Sequence, residues 1–246
     1  MRVALAAAAL VFGFGAAAAE AAPGVPAAVA AGITPWTEAV VSVTDLNASS
    51  ALLTGPGGWR ITGRGAVSPA ELAYWHLPSK ARGQYLRICA PAATTGCIRY
   101  VRFSNGGPQR PIRLAARPWD TGGIFSLMLR TDSVQHMFDA AIRLGWWAES
   151  EPYPLAFGGS KLVNVVLTGP HGINYAFYER QSPPFTAFAI HPTSRAFNAM
   201  HMVADQPAAL AFYRDKLGFG TVFDAPFTDP LAQPTNFSVP PNTKVR

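Results

Sequence analysis

The chain has 246 residues, 49% hydrophobic and 14% charged, with a formal charge of +6. This is a globular composition, enough for one large or two ordinary cores, and it excludes a disordered or low-complexity chain. The positive charge in a chain that reads as exported argues against nucleic acid as a partner and favours acidic small molecules or anionic envelope surfaces.

Arg2 is followed by the apolar, Ala-rich stretch Val3 to Ala19, and Ala19-Glu20-Ala21 offers the small residues that a signal peptidase accepts. Residues 1–21 are therefore expected to be a signal peptide, and the mature chain to be periplasmic or secreted. Residues 22–35, opening with Pro23-Gly24, read as a flexible N-terminal segment. No later apolar run reaches spanning length, so the chain is not expected to span a membrane.

A pattern then recurs three times. Ala39 to Asp45, Ser126 to Asp132 and Ala199 to Asp205 are strand-like runs that each end in Asp, a natural helix N-cap. A helix-length stretch follows each, and thirteen residues after each Asp comes Gly with an aromatic behind it: Gly58-Trp59, Gly145-Trp146 and Gly218-Phe219. Glycine there suits the left-handed residue that closes a helix. Gly55-Pro56-Gly57 should end the first helix near Leu53.

Further strands are expected at Tyr85 to Cys89 and Cys97 to Phe103, at Leu162 to Leu167 and Ile173 to Tyr178, and at Thr221 to Phe223 and Asn236 to Val239. The copies begin 87 residues (132 − 45) and 73 residues (205 − 132) apart, a spacing for small paired modules rather than a solenoid. Pro183, Pro184 and Pro192 mark 181–194 as a linker before a partial third module at 195–246. Cys89 and Cys97, eight apart across a Gly-containing loop, suit a local disulfide in an oxidising compartment, the alternative being two separate thiols.

Leu210-Ala211-Phe212-Tyr213-Arg214-Asp215-Lys216-Leu217-Gly218-Phe219 resembles the first helix of the glyoxalase, bleomycin-resistance and extradiol-dioxygenase proteins, the vicinal oxygen chelate superfamily. Ala140 to Trp146 resembles it more weakly, and the shared spacing extends the resemblance over most of 36–246. It implies an α+β fold in which repeated βαβββ modules, here 36–117 and 122–180, pair into an open curved mixed sheet around a pocket, with helices outside. Metal-dependent members carry a His seven residues before the Asp and a Glu on the last strand. The first position holds Glu38, Phe125 and Asn198 in the three copies, and the second holds Tyr100 and Ala176. Phe and Ala cannot ligate, so no metal and no other cofactor is expected.

Between Arg60 and Arg117 ten cations face one acid, Glu71. Guanidinium groups on a pocket face could hold a carboxylate or phosphate in bidentate fashion. Glu38, Tyr100 and Arg102 are therefore the ligand-binding candidates, while a solvated positive surface accounts for most of the other arginines. No GxSxG elbow or phosphate loop occurs.

Three readings stand. The first is an exported protein that binds a small, acidic molecule, or performs metal-independent chemistry, in the pocket of residues 36–180. The second is a metal-dependent lyase or dioxygenase, and the third a non-catalytic interaction module. A homodimer or a further C-terminal module would complete the third copy.

Overall fold

The computed structural model describes residues 34–116, 120–157, 159–222, 224, 227–228 and 244–245. The signal-peptide stretch, most of 22–35, Phe223 and the strand expected at Asn236 to Val239 lie outside them.

The first module runs β1 (Glu38–Ser42), α1 (Leu46–Thr54), β2 (Arg60–Ala66), α2 (Pro69–Tyr74), β3 (Arg82–Cys89) and β4 (Cys97–Ser104). Its sheet has the order β1-β4-β3-β2, with β1 parallel to β4 and the other pairs antiparallel. Asp45 starts α1 by accepting from the amides of Asn47 and Ala48, which satisfies two of the orphan donors of a first helical turn. The helix buries Leu52 and Leu53. Cys89 and Cys97, with Cα atoms 4.5 Å apart, are joined by a disulfide that ties the end of β3 to the start of β4.

The second module repeats the plan with β5 (Ile124–Arg130), α3 (Val134–Arg143), β6 (Trp147–Ala148), β7 (Tyr153–Phe157), β8 (Ser160–Thr168) and β9 (Asn174–Ser182). Strand β5 is parallel to β9. Strand β10 (Asn198–His201), the first of the third copy, then lies antiparallel along the free edge of β5. The sheet becomes β10-β5-β9-β8-β6, with β7 also on β8. After β10 come α4 (Gln206–Ala211), continued by a wider turn at Phe212–Lys216, and the short pair β11 (Phe227–Thr228) and β12 (Lys244–Val245). Thr221 and Val222 carry no strand.

Gly58, Gly145 and Gly218 have φ of 73°, 76° and 71°. The shared spacing therefore marks one backbone event, a left-handed helix exit, in all three copies. The caps diverge. Asp205 starts α4 as Asp45 starts α1, but α3 is capped by Ser133, whose hydroxyl accepts from the amide of His136. Asp132, expected as that cap, pairs instead with the ring of His191 at 3.1 Å. The chain is drawn aside there because Thr131 bridges to Thr193 and its hydroxyl donates to the Pro192 carbonyl.

Each sheet has one face covered by α1 or α3 and an opposite, more open face, which on the first sheet α2 partly covers by packing Leu72 against Val101. On the helix faces α1 and α3 meet, and one core joins Leu52, Leu86, Ile98 and Tyr100 of the first module to Leu129, Met137, Val165 and Phe177 of the second. Burying each such aliphatic side chain contributes about 1.5–3 kcal/mol. Residues 181–194 are fastened to both modules: the Thr193 hydroxyl accepts from the Trp59 indole at 2.9 Å and donates to the Gly57 carbonyl at 2.8 Å. Among the described residues no helix is long and apolar enough to cross a membrane.

Candidate functional site

The strand registers decide which side chains share an open face, because cross-strand partners point the same way and neighbours along a strand point oppositely. On the first sheet Glu38, Arg87 and Arg99 share it. Glu38 sits between two guanidinium groups, at 2.8 Å from Nε of Arg87 and 2.8 Å from Nε of Arg99. Arg99 also reaches Glu71 at 2.6 Å and lies 5.7 Å from the ring centres of both Trp75 and Tyr85. Local structure aims Glu71: it is the third residue of α2, where its Oε2 completes a capping box with Ser68 and leaves Oε1 for Arg99. The bond from Arg99 holds the Glu71 carboxyl below its ordinary value. Two cations and two carboxylates thus balance one another in charge, with Arg99 Nε at ion-pair distance from Glu38 but outside hydrogen-bond geometry.

Tyr100 and Arg102 are on the opposite face. Tyr100 is fully buried in the inter-module core, where its hydroxyl meets that of Tyr175, and burial pushes its pKa well up. Arg102 is exposed. The structure therefore does not bring Glu38, Tyr100 and Arg102 together. The cause is strand parity. Open-face residues fall three and five positions after Gly96 in the first module, at Arg99 and Val101, but two and four after Gly172 in the second, at Asn174 and Ala176. A one-residue difference in the hairpin moves a whole strand's side chains across the sheet.

The open face of the second sheet is different. Tyr153, Asn164, Tyr178 and Arg130 form one row across β7, β8, β9 and β5. Arg180 stands one step along from Tyr178 on the same face, opposite Leu162. Arg130 is only 3% exposed. Burial first and the neighbouring Arg180 second lower its pKa to about 10, against a smaller upward pull from Tyr178. Phe185 and Phe197 cover its guanidinium at 4.1 and 4.8 Å, the cation over the π face of each ring. Arg180 is half-buried and donates to Ser160 Oγ at 2.5 Å. Asn164 is 2% exposed, and its Oδ1 has no hydrogen-bond partner among the described residues.

A cavity of about 220 Å³ opens at the other end of this face, walled by Pro111–Ala116, Phe125, Trp147 and Val166. Its polar groups are engaged: Arg113 donates to the carbonyls of Asp120 and Gly122, and the Thr168 hydroxyl donates to Asn174, which itself donates to the Phe125 carbonyl. Of the positions where the resemblance places ligands, Ala176 and Asn198 lie on this open face and Phe125 packs in its apolar cluster. Among the described residues no three of His, Cys, Asp and Glu converge to hold a metal ion.

Arg130 and Arg180 escape a reading based on the density of basic residues, since density tracks solvated surface. A visible signal is the single Arg130 directly after the largely apolar run from Phe125 to Leu129, on a strand where a charge has to be buried for a reason.

No family model and no curated protein matches the chain. Solved structures do. Glyoxalase I from Zea mays matches with a TM-score of 0.54 at 14% identity, over 86% of this chain and 66% of that one. A variant of the same maize enzyme gives 0.53 at 14% identity over 86% and 67%. A glyoxalase family protein from Bacillus cereus gives 0.49 at 16% identity, over 60% of this chain and 95% of that one. This chain thus spans about two thirds of the maize enzyme, and the likeness is one of fold.

Proposed function

We propose that this chain, whose fold is that of the vicinal oxygen chelate superfamily, is an exported protein that binds a small acidic molecule on the open face of its second sheet, with guanidinium groups in place of a metal ion. One observation carries the reading. Arg130 and Arg180 share one face of the sheet beneath the ring of Phe185, and paired guanidinium groups suit a carboxylate or phosphate, which they bind through charge-assisted contacts. Arg180, the more accessible, receives the ligand; Arg130, fixed under Phe185, orients it. Export rests on the N-terminal sequence, and a Cys89–Cys97 disulfide suits an oxidising compartment.

A metal-dependent lyase or dioxygenase is the weaker alternative, because it needs several N, O or S donors at one point. Calorimetry of the mature protein with propionate, benzoate and inorganic phosphate tests the proposal. At least one acid should bind, and Arg130→Ala should weaken it by tenfold or more, the cost of about one charged hydrogen bond. Absence of binding to all three, or equal binding by the variant, overturns the reading, as does a stoichiometric transition metal in the purified protein.

A further inference from the structure

The buried row beside the arginines asks for more than an anion. Asn164 is held on β8 between Tyr153 and Tyr178, its cross-strand partners. Its carbonyl oxygen is out of solvent and accepts no hydrogen bond among the described residues. Leaving a buried amide oxygen unmatched costs about 1–3 kcal/mol, and a leucine of similar volume would remove the cost. A fold that keeps the amide there has a donor to offer it in some bound state. The register locates that donor. Arg180 is the diagonal neighbour of Asn164 on the same face, since Asn164 pairs with Tyr178 and Leu162 with Arg180, and diagonal neighbours stand roughly 7–8 Å apart. That is the reach of one small molecule with an acid at one end and a hydroxyl or N–H at the other.

We infer that the ligand is a small acid bearing a hydrogen-bond donor, a hydroxy acid or an N–H equivalent, whose donor is read by Asn164 Oδ1 while Arg180 and Arg130 hold the acid. The inference rests on the acid-binding reading above. Asn164 is then a specificity residue: its oxygen, already buried and unmatched without ligand, gains a partner only from an acid that carries a donor, so the hydroxylated acid binds more tightly than the plain one. A site built to hydrogen-bond one ligand group discriminates strongly against the analogue lacking it.

The test compares lactate with propionate and 3- and 4-hydroxybutyrate with butyrate, in the wild type and in Asn164→Leu, with Asn164→Ala as a second variant should the first fold poorly. In the wild type at least one hydroxy acid should bind about tenfold or more tightly than its plain partner. In both variants that preference should vanish while the plain acids bind within twofold of wild type, and ligand-free Asn164→Leu should melt at a higher temperature. Binding of plain and hydroxylated acids alike by the wild type sinks the role of Asn164 and leaves the acid site standing, and so does a preference that survives in both variants. Failure of every acid to bind removes the acid site itself, and this inference with it.

Discussion

The two open faces are built on the same strand plan and treat positive charge in opposite ways. On the first sheet each guanidinium faces a carboxylate: Arg87 and Arg99 close on Glu38, and Arg99 also on Glu71. On the second sheet Arg130 faces another guanidinium, and a buried amide oxygen waits nearby. Both faces carry arginine, but on the first the protein itself supplies the carboxylates. An internally matched ion-pair cluster is a structural element, whereas the second face brings two guanidinium groups together under an aromatic ring, where the acid-binding proposal places its ligand.

The comparison breaks most directly if the second face is made to resemble the first. Arg180→Glu sets a carboxylate beside Arg130; acid binding should fall by at least about 100-fold, read by calorimetry, while the ligand-free protein melts higher. Unchanged binding would show that the two faces do not differ in the way described. Next in size is the disulfide of the first sheet. Replacing both Cys89 and Cys97 by Ala should cost about 2.5 kcal/mol in denaturant unfolding, the loop-closure value for so short a loop, and leave acid binding on the other sheet within twofold.

Glu38→Gln makes the first face resemble the second by withdrawing the carboxylate between Arg87 and Arg99. About 2 kcal/mol of stability should be lost, and moderate concentrations of phosphate should restore part of it by supplying the missing anion. The smallest effect concerns Glu71. Its folded-state pKa is depressed, so its contribution is fully present above the ordinary carboxylate value of 4.5 and disappears as the pH falls through the lowered one. Urea midpoints of wild type and Glu71→Gln should therefore converge as the pH drops below about 4, and a gap that stays constant would refute the pairing with Arg99.

Much of the module plan was legible in the sequence because it is written in local chemistry. Asp45 and Asp205 cap their helices through their own side chains, and Gly58, Gly145 and Gly218 hold left-handed φ values that other residues adopt poorly. Asp132 misled because Ser133 beside it is an equally good cap, and the choice was made by a bridge to Thr193 sixty-two residues on (193 − 131). The site was less legible. Tyr100 follows from a count of four residues after Gly96 and Arg102 from sharing its strand face, and a hairpin that enters its strand one residue early reverses the faces. The burial of Arg130 depends on Phe185 and Phe197, which reach it only after the chain turns back to lay β10 on β5. Such long-range closure leaves no trace in periodicity.

The hydroxyl of Thr193 fastens the indole of Trp59 and the carbonyl of Gly57 across 134 and 136 residues of chain. For a chain that emerges in order from its N-terminus this fastening sets a clock. At roughly 5–20 residues per second the first helix exit would wait roughly 7–27 seconds for its partner, with the indole nitrogen unsatisfied and the surrounding core incomplete. The first module is then the part of the molecule most exposed to misassembly or proteolysis during its own production.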